Sequence, residues 1–377
     1  MKFLYIGSGD VFSRHELGFI AALSALGNVD VITLGSKENV EKMKVGSDNG
    51  VWNVTFHYIP CGNMLRLSKC KTWIEEEINT EKYHTIFATP RLPILVAKSL
   101  SNKDQKVILR LWSIRAAKLR DNLRFDAYED AVIYMPSILA NFLYILSSTY
   151  AIAVDHSTCT FAVKTYPILA SRLTKLYPPY GFIAEQRKET IKQKIFELIE
   201  RGNYVLSFTL LNKTGPYLKF EARPHAIVLY RLAKKINADV VLVGSTYEDW
   251  KRVFPNLEPP KNLHVIGRDF RNDIIAELYR RARMVVVSIT NRSISNRLLE
   301  ALFYGKPIIT TEVAKHLHPE LIHKKHIYIS TWNNMVEDAA KLLGDEETLK
   351  ILGEGAREAY NIFFSTKHNI KFIRSLV

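Results

Sequence analysis

Two charged residues near the start of an apolar helix are the first place in this sequence that indicates chemistry. In the stretch SNRLLEALFYGKPIITTE, residues 295–312, leucine and phenylalanine recur at helical spacing, and Gly305 and Pro307 end the helix before a β-branched strand. Arg297 and Glu300 are three residues apart, so they share one helix face. A carboxylate there can accept hydrogen bonds from the vicinal hydroxyls of a ribose, and a guanidinium beside a helix N-terminus suits a diphosphate. The alternative interpretation is an exposed ion pair worth about 1 kcal/mol at most.

Strand and helix patterns alternate along the whole chain, which is typical of an α/β protein with parallel sheets. A break that contains two prolines and a glycine, LYPPYGF near residue 177, divides the pattern into two sets. We therefore expect two Rossmann-like, doubly wound domains. Because ligands bind outside the C-terminal ends of parallel strands, we expect the two sheets to face each other across a cleft. The strand patterns lie at 3–6, 29–34, 54–59, 84–88, 106–111, 150–154, 204–208, 239–243, 264–266, 284–288 and 327–330.

The composition describes a globular protein with an excess of positive charge. A chain of 377 residues that is 47% hydrophobic fits two domains with ample cores. The formal net charge of +14 suits an anionic partner, such as a phosphate ligand, an acidic membrane surface or nucleic acid, and a solvated surface without such a partner stays open as the alternative. The sequence has no basic run and no aromatic-basic motif, so we do not expect it to bind nucleic acid. Abundant lysine, arginine, isoleucine and tyrosine with little glutamine is compatible with a thermophilic source.

The cysteines and the N-terminus favour a reducing, cytoplasmic location. Cys61, Cys70 and Cys159 make neither a disulfide framework nor a metal-ligand spacing. The N-terminus has no signal-peptide cleavage pattern. Residues 132–154 carry no charge and are long enough to span a bilayer, but their proline, asparagine and hydroxyl side chains favour a buried helix at 136–148 followed by a strand. A membrane-surface contact and a true span stay open as alternatives.

Other motifs exclude several classes of enzyme. The glycine-containing loop after the first strand, Gly7, Ser8 and Gly9, can bring backbone N–H groups to a phosphate. It lacks the third glycine of a dinucleotide fingerprint, and no acidic residue follows the second strand, so a nicotinamide enzyme is not indicated. Three histidines between 318 and 326 fit no zinc spacing, and the sequence has neither a P-loop nor a nucleophile elbow. We therefore expect no metal and no cofactor.

The stretch 295–312 is similar to the nucleotide-sugar signature of the group 1 retaining glycosyltransferases of the GT-B fold, relatives of glycogen and sucrose synthases. That signature is Ser/Pro-x-Lys/Arg, Leu-Leu-Glu-Ala, Gly-Lys-Pro and a strand. Two further stretches, DVVLVGS at 239–245 and NLHVIGRDFRNDIIAELYRRARMVVVSIT at 262–290, resemble the strand and the Leu-Tyr-x-x-Ala helix of the same family. KLYPPYGF at 175–182 resembles its interdomain loop. The resemblance implies an acceptor domain over 1–182, a donor domain over 183–358, and a last helix within 359–377 that crosses back to the first domain.

The resemblance also implies roles for individual residues. Glu300 matches the glutamate that binds the donor's ribose, and the loop at Gly7–Gly9 faces the donor phosphates or the acceptor. Arg292 stands where the family often has a second glutamate, and Arg110, Trp112 and Ser113 stand where it has a histidine, so we assign no catalytic residue. The other donor-binding residues that it implies are Arg297, Ser295 and Asn296 for the diphosphate, Gly267 and Arg268 for the base, and Lys213 and Lys219 for a basic pair.

The combined prediction is a metal-independent, retaining glycosyltransferase. It moves a sugar from a nucleoside-diphosphate sugar to a glycan or lipid-linked acceptor, and it is cytoplasmic with a peripheral contact at the inner membrane face. A non-catalytic nucleotide-sugar-binding protein of the same fold is the first alternative, favoured by Arg292. Nucleic-acid binding, motivated only by the positive charge, is the weaker alternative.

Overall fold

The computed structural model shows two compact units. The first unit is made up of Met1–Glu185 and Phe363–Val377, together with a short segment that ends at Asn296. The second unit is made up of Gln186–Asn291 and Arg297–Ile362, beside predicted domain limits at 182 and 358. The residues that the structure describes are 1–8, 13–35, 41–61, 67–112, 136–184, 193–267, 272–289 and 295–377.

The helices and strands follow the alternation that the sequence predicts. In chain order, the described helices of seven or more residues are α1 (Arg14–Ser24), α2 (Leu67–Glu77), α3 (Leu92–Leu100), α4 (Pro136–Leu146), α5 (His156–Thr165), α6 (Gln193–Arg201), α7 (Arg223–Lys235), α8 (Tyr247–Val253), α9 (Asn272–Arg281), α10 (Asn296–Phe303), α11 (Met335–Leu343), α12 (Glu346–Ala359) and α13 (Thr366–Leu376). The shorter turns are Thr80–Lys82, Pro167–Arg172, Gly215–Tyr217, Leu218–Ala222, Ala314–Leu317 and Tyr360–Phe364. The strands are β1 (Lys2–Ser8), β2 (Asn28–Leu34), β3 (Glu41–Ser47), β4 (Gly50–Ile59), β5 (Thr85–Ala88), β6 (Lys106–Leu111), β7 (Tyr150–Ala153), β8 (Leu173–Lys175), β9 (Gly181–Ile183), β10 (Tyr204–Phe208), β11 (Val240–Val243), β12 (Leu263–Val265), β13 (Ala282–Val287), β14 (Ile308–Thr311) and β15 (Tyr328–Ser330).

The sheet of the first unit is parallel around β1 and has an antiparallel edge. Within the described residues its order is β8-β7-β6-β5-β1-β2-β4-β3-β9. Strand β3 runs antiparallel to β4 and to β9, an edge that the sequence pattern did not predict. The sequence Asp48-Asn49-Gly50 joins β3 to β4 as a hairpin, because such residues adopt tight-turn conformations easily. Helices α1 and α13 pack on one face of this sheet, and α2 to α5 pack on the other.

The last helix, α13, is part of the first unit. The side-chain amide of Asn369 donates a hydrogen bond to the carbonyl oxygen of Tyr177 at 2.9 Å. The ammonium of Lys106 donates to the carbonyl oxygen of Leu376 at 2.7 Å. Both contacts satisfy backbone carbonyl groups at the ends of chain segments, so the C-terminal helix is anchored by polar bonds as well as by its apolar face.

The sheet of the second unit is parallel throughout its described strands. Its order is β12-β11-β10-β13-β14-β15. An apolar cluster joins this sheet to α7, α11 and α12, with fully buried side chains such as Leu229, Met335 and Leu352. Because every described pair in the sheet is parallel, the C-terminal ends of its strands lie along one edge, which is where ligands bind in such sheets.

The structure describes the uncharged segment at 132–154 from residue 136 onward. Its described part forms the helix α4 and the strand β7, and no helix among the described residues is long and apolar enough to cross a bilayer. The expectation of a buried helix at 136–148 is wrong for one side of α4, where leucine side chains are exposed. A helix on the surface of a sheet buries only the stripe that faces the sheet.

The cysteines differ from the sequence-based expectation of free thiols. Cys61 and Cys70 form a disulfide, with Cα atoms 5.6 Å apart, and both side chains are fully buried. Cys159 is free. The sequence separation of Cys61 and Cys70 did not reveal this pairing, because it depends on how the end of β4 approaches the first turn of α2.

Helix α1 meets the segment before β9 backbone to backbone. A Cβ atom added at Gly18 would lie 1.9 Å from the carbonyl oxygen of Pro179, and one added at Gly181 would lie 2.0 Å from the amide nitrogen of Gly18. The Pro-Pro stretch, expected to be an interdomain loop, is therefore a buried segment that ends in strand β9.

We expect Gly181→Ala to lower the free energy of unfolding by about 1–3 kcal/mol, because the added methyl group forces two backbone segments apart. Urea unfolding followed by circular dichroism measures this change. Gly344→Ala is the matched control, because its added Cβ would be in ordinary contact, 3.4 Å from the carbonyl oxygen of Lys341. Equal stability of the two variants would contradict the close packing of α1.

Candidate functional site

The charged pair predicted from the sequence lies at the start of α10, which follows strand β13. The Arg297 Nη1 atom donates a hydrogen bond to Glu300 Oε2 at 3.0 Å. The Glu300 side chain is fully buried, whereas the Arg297 side chain is 40% exposed. The pair is therefore more than a surface ion pair, because one of its charges is removed from water and must be compensated inside the protein.

A third residue, Tyr279 on α9, holds the same carboxylate. Its hydroxyl donates to Glu300 Oε2 at 2.7 Å, and its ring is fully buried. The ring stacks on Phe208, with centroids 5.2 Å apart, and on Tyr304, with centroids 5.0 Å apart. Tyr279 is the tyrosine of the Leu-Tyr-x-x-Ala stretch, but nothing in the sequence spacing pointed to a contact with Glu300.

Arg297 is held in place by an aromatic ring as well as by the carboxylate. Its guanidinium carbon lies 4.4 Å from the centroid of the Phe208 ring, a cation–π distance. Burial acts to lower the pKa of Arg297, but the Glu300 carboxylate, together with Tyr279 and Tyr217, raises that pKa above the ordinary value. The guanidinium is therefore a permanent cation at the start of a helix, where backbone N–H groups also favour an anion.

Hydrogen bonds connect the C-terminal ends of β10, β11 and β12. The Ser245 hydroxyl donates to the carbonyl oxygen of Thr209 at 2.8 Å and accepts from the amide of Leu211 at 2.9 Å. Gly267, after β12, donates its N–H to the carbonyl oxygen of Ser245 at 2.7 Å and has a φ of 82°. Among the described residues, no atom lies within 4 Å of the place where a Cβ would stand on Gly267. With respect to the part of the chain that the structure describes, the backbone of Gly267 thus borders open space at this edge.

For the other predicted donor-binding residues the structure gives positions and exposure, but these do not decide their roles. Ser295 immediately precedes α10 and Asn296 is its first residue, and both are half-buried. Lys213 is exposed after β10, and Lys219 is exposed with its ammonium 4.8 Å from the centroid of the Phe220 ring. The roles assigned to these four residues stay predictions. Four residues named from the sequence, Arg268, Gly9, Arg292 and Ser113, lie outside the described residues.

Gly7 and Ser8 belong to strand β1 rather than to a loop. They pair with Thr33 and Leu34 of β2, and Gly7 is buried while Ser8 is exposed. The prediction that the loop begins at Gly7 is wrong, because the parallel pairing with β2 continues to the end of both strands. Their proposed contact with phosphate or acceptor is untested by this geometry.

A buried polar cluster in the first unit includes two of the residues found where a histidine was expected. Arg110 Nη2 donates to Glu16 Oε1 at 3.3 Å, and both side chains are fully buried. Tyr5 and Trp112 also donate to the Glu16 carboxylate. The Arg110 guanidinium carbon lies 3.8 Å from the centroid of the Phe19 ring. The cluster fixes the half-buried indole of Trp112 at the C-terminal end of β6.

His15, a residue that the sequence did not single out, also lies in this cluster. Its ring is 7% exposed and meets the Trp112 ring edge-on, with centroids 6.1 Å apart. Ser13 Oγ lies 3.0 Å from His15 Nδ1. Burial lowers the pKa of His15, so the imidazole is neutral near pH 7. The only available signal was a histidine next to a glutamate at the start of the first helix, where the resemblance did not direct attention.

The histidines between 318 and 326 do not form a metal site. The backbone amide of Ile322 donates to His326 Nδ1 at 3.1 Å, and that of Ile329 donates to His323 Nδ1 at 2.9 Å. Within the ranges that the structure describes, no group of three or more His, Cys, Asp or Glu side chains is placed to hold a metal ion.

A buried histidine joins the ends of β10 and β13. The Ser207 hydroxyl donates to the carbonyl oxygen of Val286 at 2.7 Å, so its oxygen accepts from His225 Nε2, 2.6 Å away. His225 Nδ1 then accepts from the Ser288 hydroxyl. Burial lowers the pKa of His225 to about 4. The imidazole is therefore neutral with its proton on Nε2, and it fixes the strand end from which the chain leads to α10.

We expect His225 to stay neutral in the folded protein well below its ordinary pKa. Between about pH 6.5 and pH 4 the unfolded state binds a proton that the folded state does not, so stability falls with falling pH by up to about 3 kcal/mol. Nitrogen NMR of the imidazole, and urea unfolding of wild type and His225→Gln at several pH values, measure this. Titration near pH 6.5, or an equal pH slope in the variant, would contradict the buried neutral network.

Part of the second unit matches a known protein family. Residues 223–345 match the family model described as "Glycosyl transferases group 1". No curated protein sequence matches the chain. The match to the family model runs from α7 to α11 of the second unit, a range that includes α9 and α10.

Solved structures are similar over the whole length at low identity. HepE of Anabaena in complex with UDP is 13% identical with a TM-score of 0.67, covering 100% of this chain and 99% of that chain. Sucrose-phosphate synthase from Thermosynechococcus elongatus is 14% identical with a TM-score of 0.66, covering 100% and 98%. WaaG, a glycosyltransferase involved in lipopolysaccharide biosynthesis, is 14% identical with a TM-score of 0.61, covering 99% of each chain.

At this identity the structural matches establish the fold, and the family model establishes the class of the domain. The predictions of the fold and of an enzyme are both confirmed. The chain has the GT-B fold, and because its residues 223–345 form a group 1 glycosyltransferase domain, the protein is an enzyme of the glycosyltransferase class.

Proposed function

We propose that the protein transfers a sugar from a nucleoside-diphosphate sugar, with the donor's ribose on Glu300 and its diphosphate beside Arg297. The observation that carries the proposal is the buried Glu300 carboxylate, held by Tyr279 and Arg297 at the start of α10. A carboxylate fixed in this way accepts hydrogen bonds from vicinal hydroxyls without first paying to order its own side chain. Hydrogen bonds to a charged acceptor contribute about 1.5–3 kcal/mol.

The diphosphate is the leaving group, and Arg297 supplies a cation for it. The guanidinium is fixed by Phe208 and Glu300, yet 40% of the side chain is exposed to solvent. Backbone N–H groups at Ser295 and Asn296 add the positive end of the helix dipole. Charge that develops on the leaving diphosphate is stabilised by such preorganised donors, so the mechanism that we propose is metal-independent. The departing phosphate accepts the proton of the acceptor hydroxyl, and transfer retains the anomeric configuration.

The donor that we propose is a uridine diphosphate sugar. HepE has been solved with UDP and with UDP-glucose, and its fold matches this chain over its whole length. The open backbone at Gly267, with Arg268 next to it in sequence, is the place that we assign to the base. Lys213 and Lys219 supply further positive charge after β10.

The acceptor that we propose is a lipid-linked glycan, approached from the cytoplasm at the inner face of a membrane. Two observations support this choice. The formal net charge is +14, which suits an anionic surface. WaaG, which has the same fold, is involved in lipopolysaccharide biosynthesis.

We expect Glu300→Gln and Arg297→Ala each to raise the dissociation constant for UDP about tenfold or more, since each removes a charged partner of the ligand. Calorimetric titration measures this, and thermal melting with UDP, GDP, ADP and TDP tests the base. Glu358→Gln is the control, because this glutamate forms an exposed ion pair with Lys325 at 2.9 Å. UDP affinity unchanged in Glu300→Gln, or no nucleotide bound by wild type, would contradict the donor site.

We expect donor turnover to persist in excess EDTA, because the proposed leaving-group stabilisation uses Arg297 and backbone N–H groups. Release of UDP from UDP-glucose, with and without chelator, measures this. Activity that is lost on chelation and restored by Mg²⁺ or Mn²⁺ would refute metal independence. NMR of the product's anomeric proton distinguishes retention from inversion.

A further inference from the structure

We propose that one exposed face of the first unit docks the protein on an anionic lipid bilayer. The face, called here the leucine face, consists of Leu139, Leu143 and Leu146 on α4 and of Ile168 beside it. The purpose of the contact rests on the lipid-linked acceptor of the proposed function, but its existence and its test do not.

Helix α4 exposes leucine where a surface helix normally exposes charge. Its sequence, PSILANFLYIL, contains no charged residue. Leu139 is 64% exposed, and Leu143 and Leu146 are each 46% exposed. The three residues recur at the spacing i, i+4 and i+7, so they form one stripe along the helix. Ile145, on the opposite side, is fully buried against the sheet.

The turn Pro167–Arg172 lies beside α4 and widens this apolar stripe. The hydroxyl of Tyr166 donates to the carbonyl oxygen of Ile138 at 2.8 Å, and Arg172 Nη1 donates to that of Leu146 at 3.2 Å. These bonds connect the turn to both ends of the helix. Ile168, within the turn, is 80% exposed. Four aliphatic side chains therefore meet solvent on two neighbouring segments.

The charged residues of the segment that contains the leucine face favour an anionic occupant. Residues 136–184 contain a single carboxylate, Asp155, which is fully buried and bonded to Thr158 at the start of α5. The basic residues of this segment are Lys164, which is exposed, and Arg172 and Lys175, which are half-buried. The solvated charges that this segment contributes are therefore all positive.

An anionic leaflet matches both properties of this surface. Its acyl region accepts aliphatic side chains from a helix that lies parallel to the surface, and its headgroups attract the cations of the same segment, of which Arg172 bonds to the end of α4. A second copy of the chain would bring the same positive segment against itself, which disfavours a symmetric dimer through this face.

Vesicle flotation of the full-length protein tests the proposal. We expect wild type to float with vesicles of phosphatidylglycerol and phosphatidylethanolamine, to float much less with phosphatidylcholine alone, and to dissociate as salt is raised. Replacing Leu139, Leu143 and Leu146 together by glutamine should lower the bound fraction about tenfold, because it removes the apolar stripe while keeping good helix formers. Lys164→Glu should weaken binding to the anionic vesicles and should leave the weak binding to phosphatidylcholine vesicles unchanged.

A matched control replaces exposed isoleucines in the second unit. Ile351, 46% exposed, and Ile322, 53% exposed, are each changed to glutamine, and vesicle binding should stay at the wild-type level. Equal binding by the triple leucine variant and wild type would overturn the proposal. So would a wild-type dimer in light scattering that the leucine substitutions convert to a monomer.

UDP titration of the same variants separates this proposal from the proposed function. The triple leucine variant should bind UDP as wild type does, because its substitutions lie in the other unit from Glu300. Loss of UDP binding together with vesicle binding would show that the substitutions disturb the fold, and Leu143→Gln alone then decides whether the face binds lipid. Vesicle binding by a wild type that binds no nucleotide would refute the donor site and leave the docking face intact.

Discussion

The buried carboxylate of Glu300 is the constraint on which the packing of α9, α10 and the end of β10 depends. A carboxylate removed from water needs an opposite charge and hydrogen bonds, and Arg297 and Tyr279 supply them at one oxygen atom. Both partners are fixed in turn by aromatic rings, since Phe208 contacts the guanidinium and stacks on Tyr279, and Tyr304 stacks on the other side. One charge thereby sets the mutual positions of α9, α10 and the end of β10.

The first unit repeats this solution around a different carboxylate. Glu16, in the first turn of α1, is fully buried and bonded to Tyr5 and Arg110. In each unit a buried glutamate on a helix thus accepts from one tyrosine and one arginine. Of the two, Glu16 lies in the first turn of its helix, where the helix dipole favours a negative charge. The two carboxylates have different effects. Glu300 lies beside the exposed guanidinium of Arg297, whereas Glu16 orients the indole of Trp112.

Local sequence patterns predicted the helices and strands, but they could not predict contacts between residues far apart in the chain. Helical periodicity and β-branched runs follow from neighbouring residues, so the alternation and the shared face of Arg297 and Glu300 were readable. The contact of Tyr279 with Glu300 joins residues 21 positions apart, and that of Arg110 with Glu16 joins residues 94 apart. Such pairings depend on how whole strands and helices pack. The antiparallel strand β3 was not predicted for another reason. Its sequence, EKMKVGS, has little of the apolar run that is typical of a buried strand.

The most direct test of the donor site compares UDP with 2′-deoxy-UDP on wild type and on Glu300→Gln. If the carboxylate binds the ribose, removing the hydroxyl should weaken binding to wild type about tenfold and should cost little in the variant, where the partner has already lost its charge. Equal losses in the two proteins would mean that Glu300 does not contact the ribose. The buried carboxylate would then be only a structural link between α9 and α10.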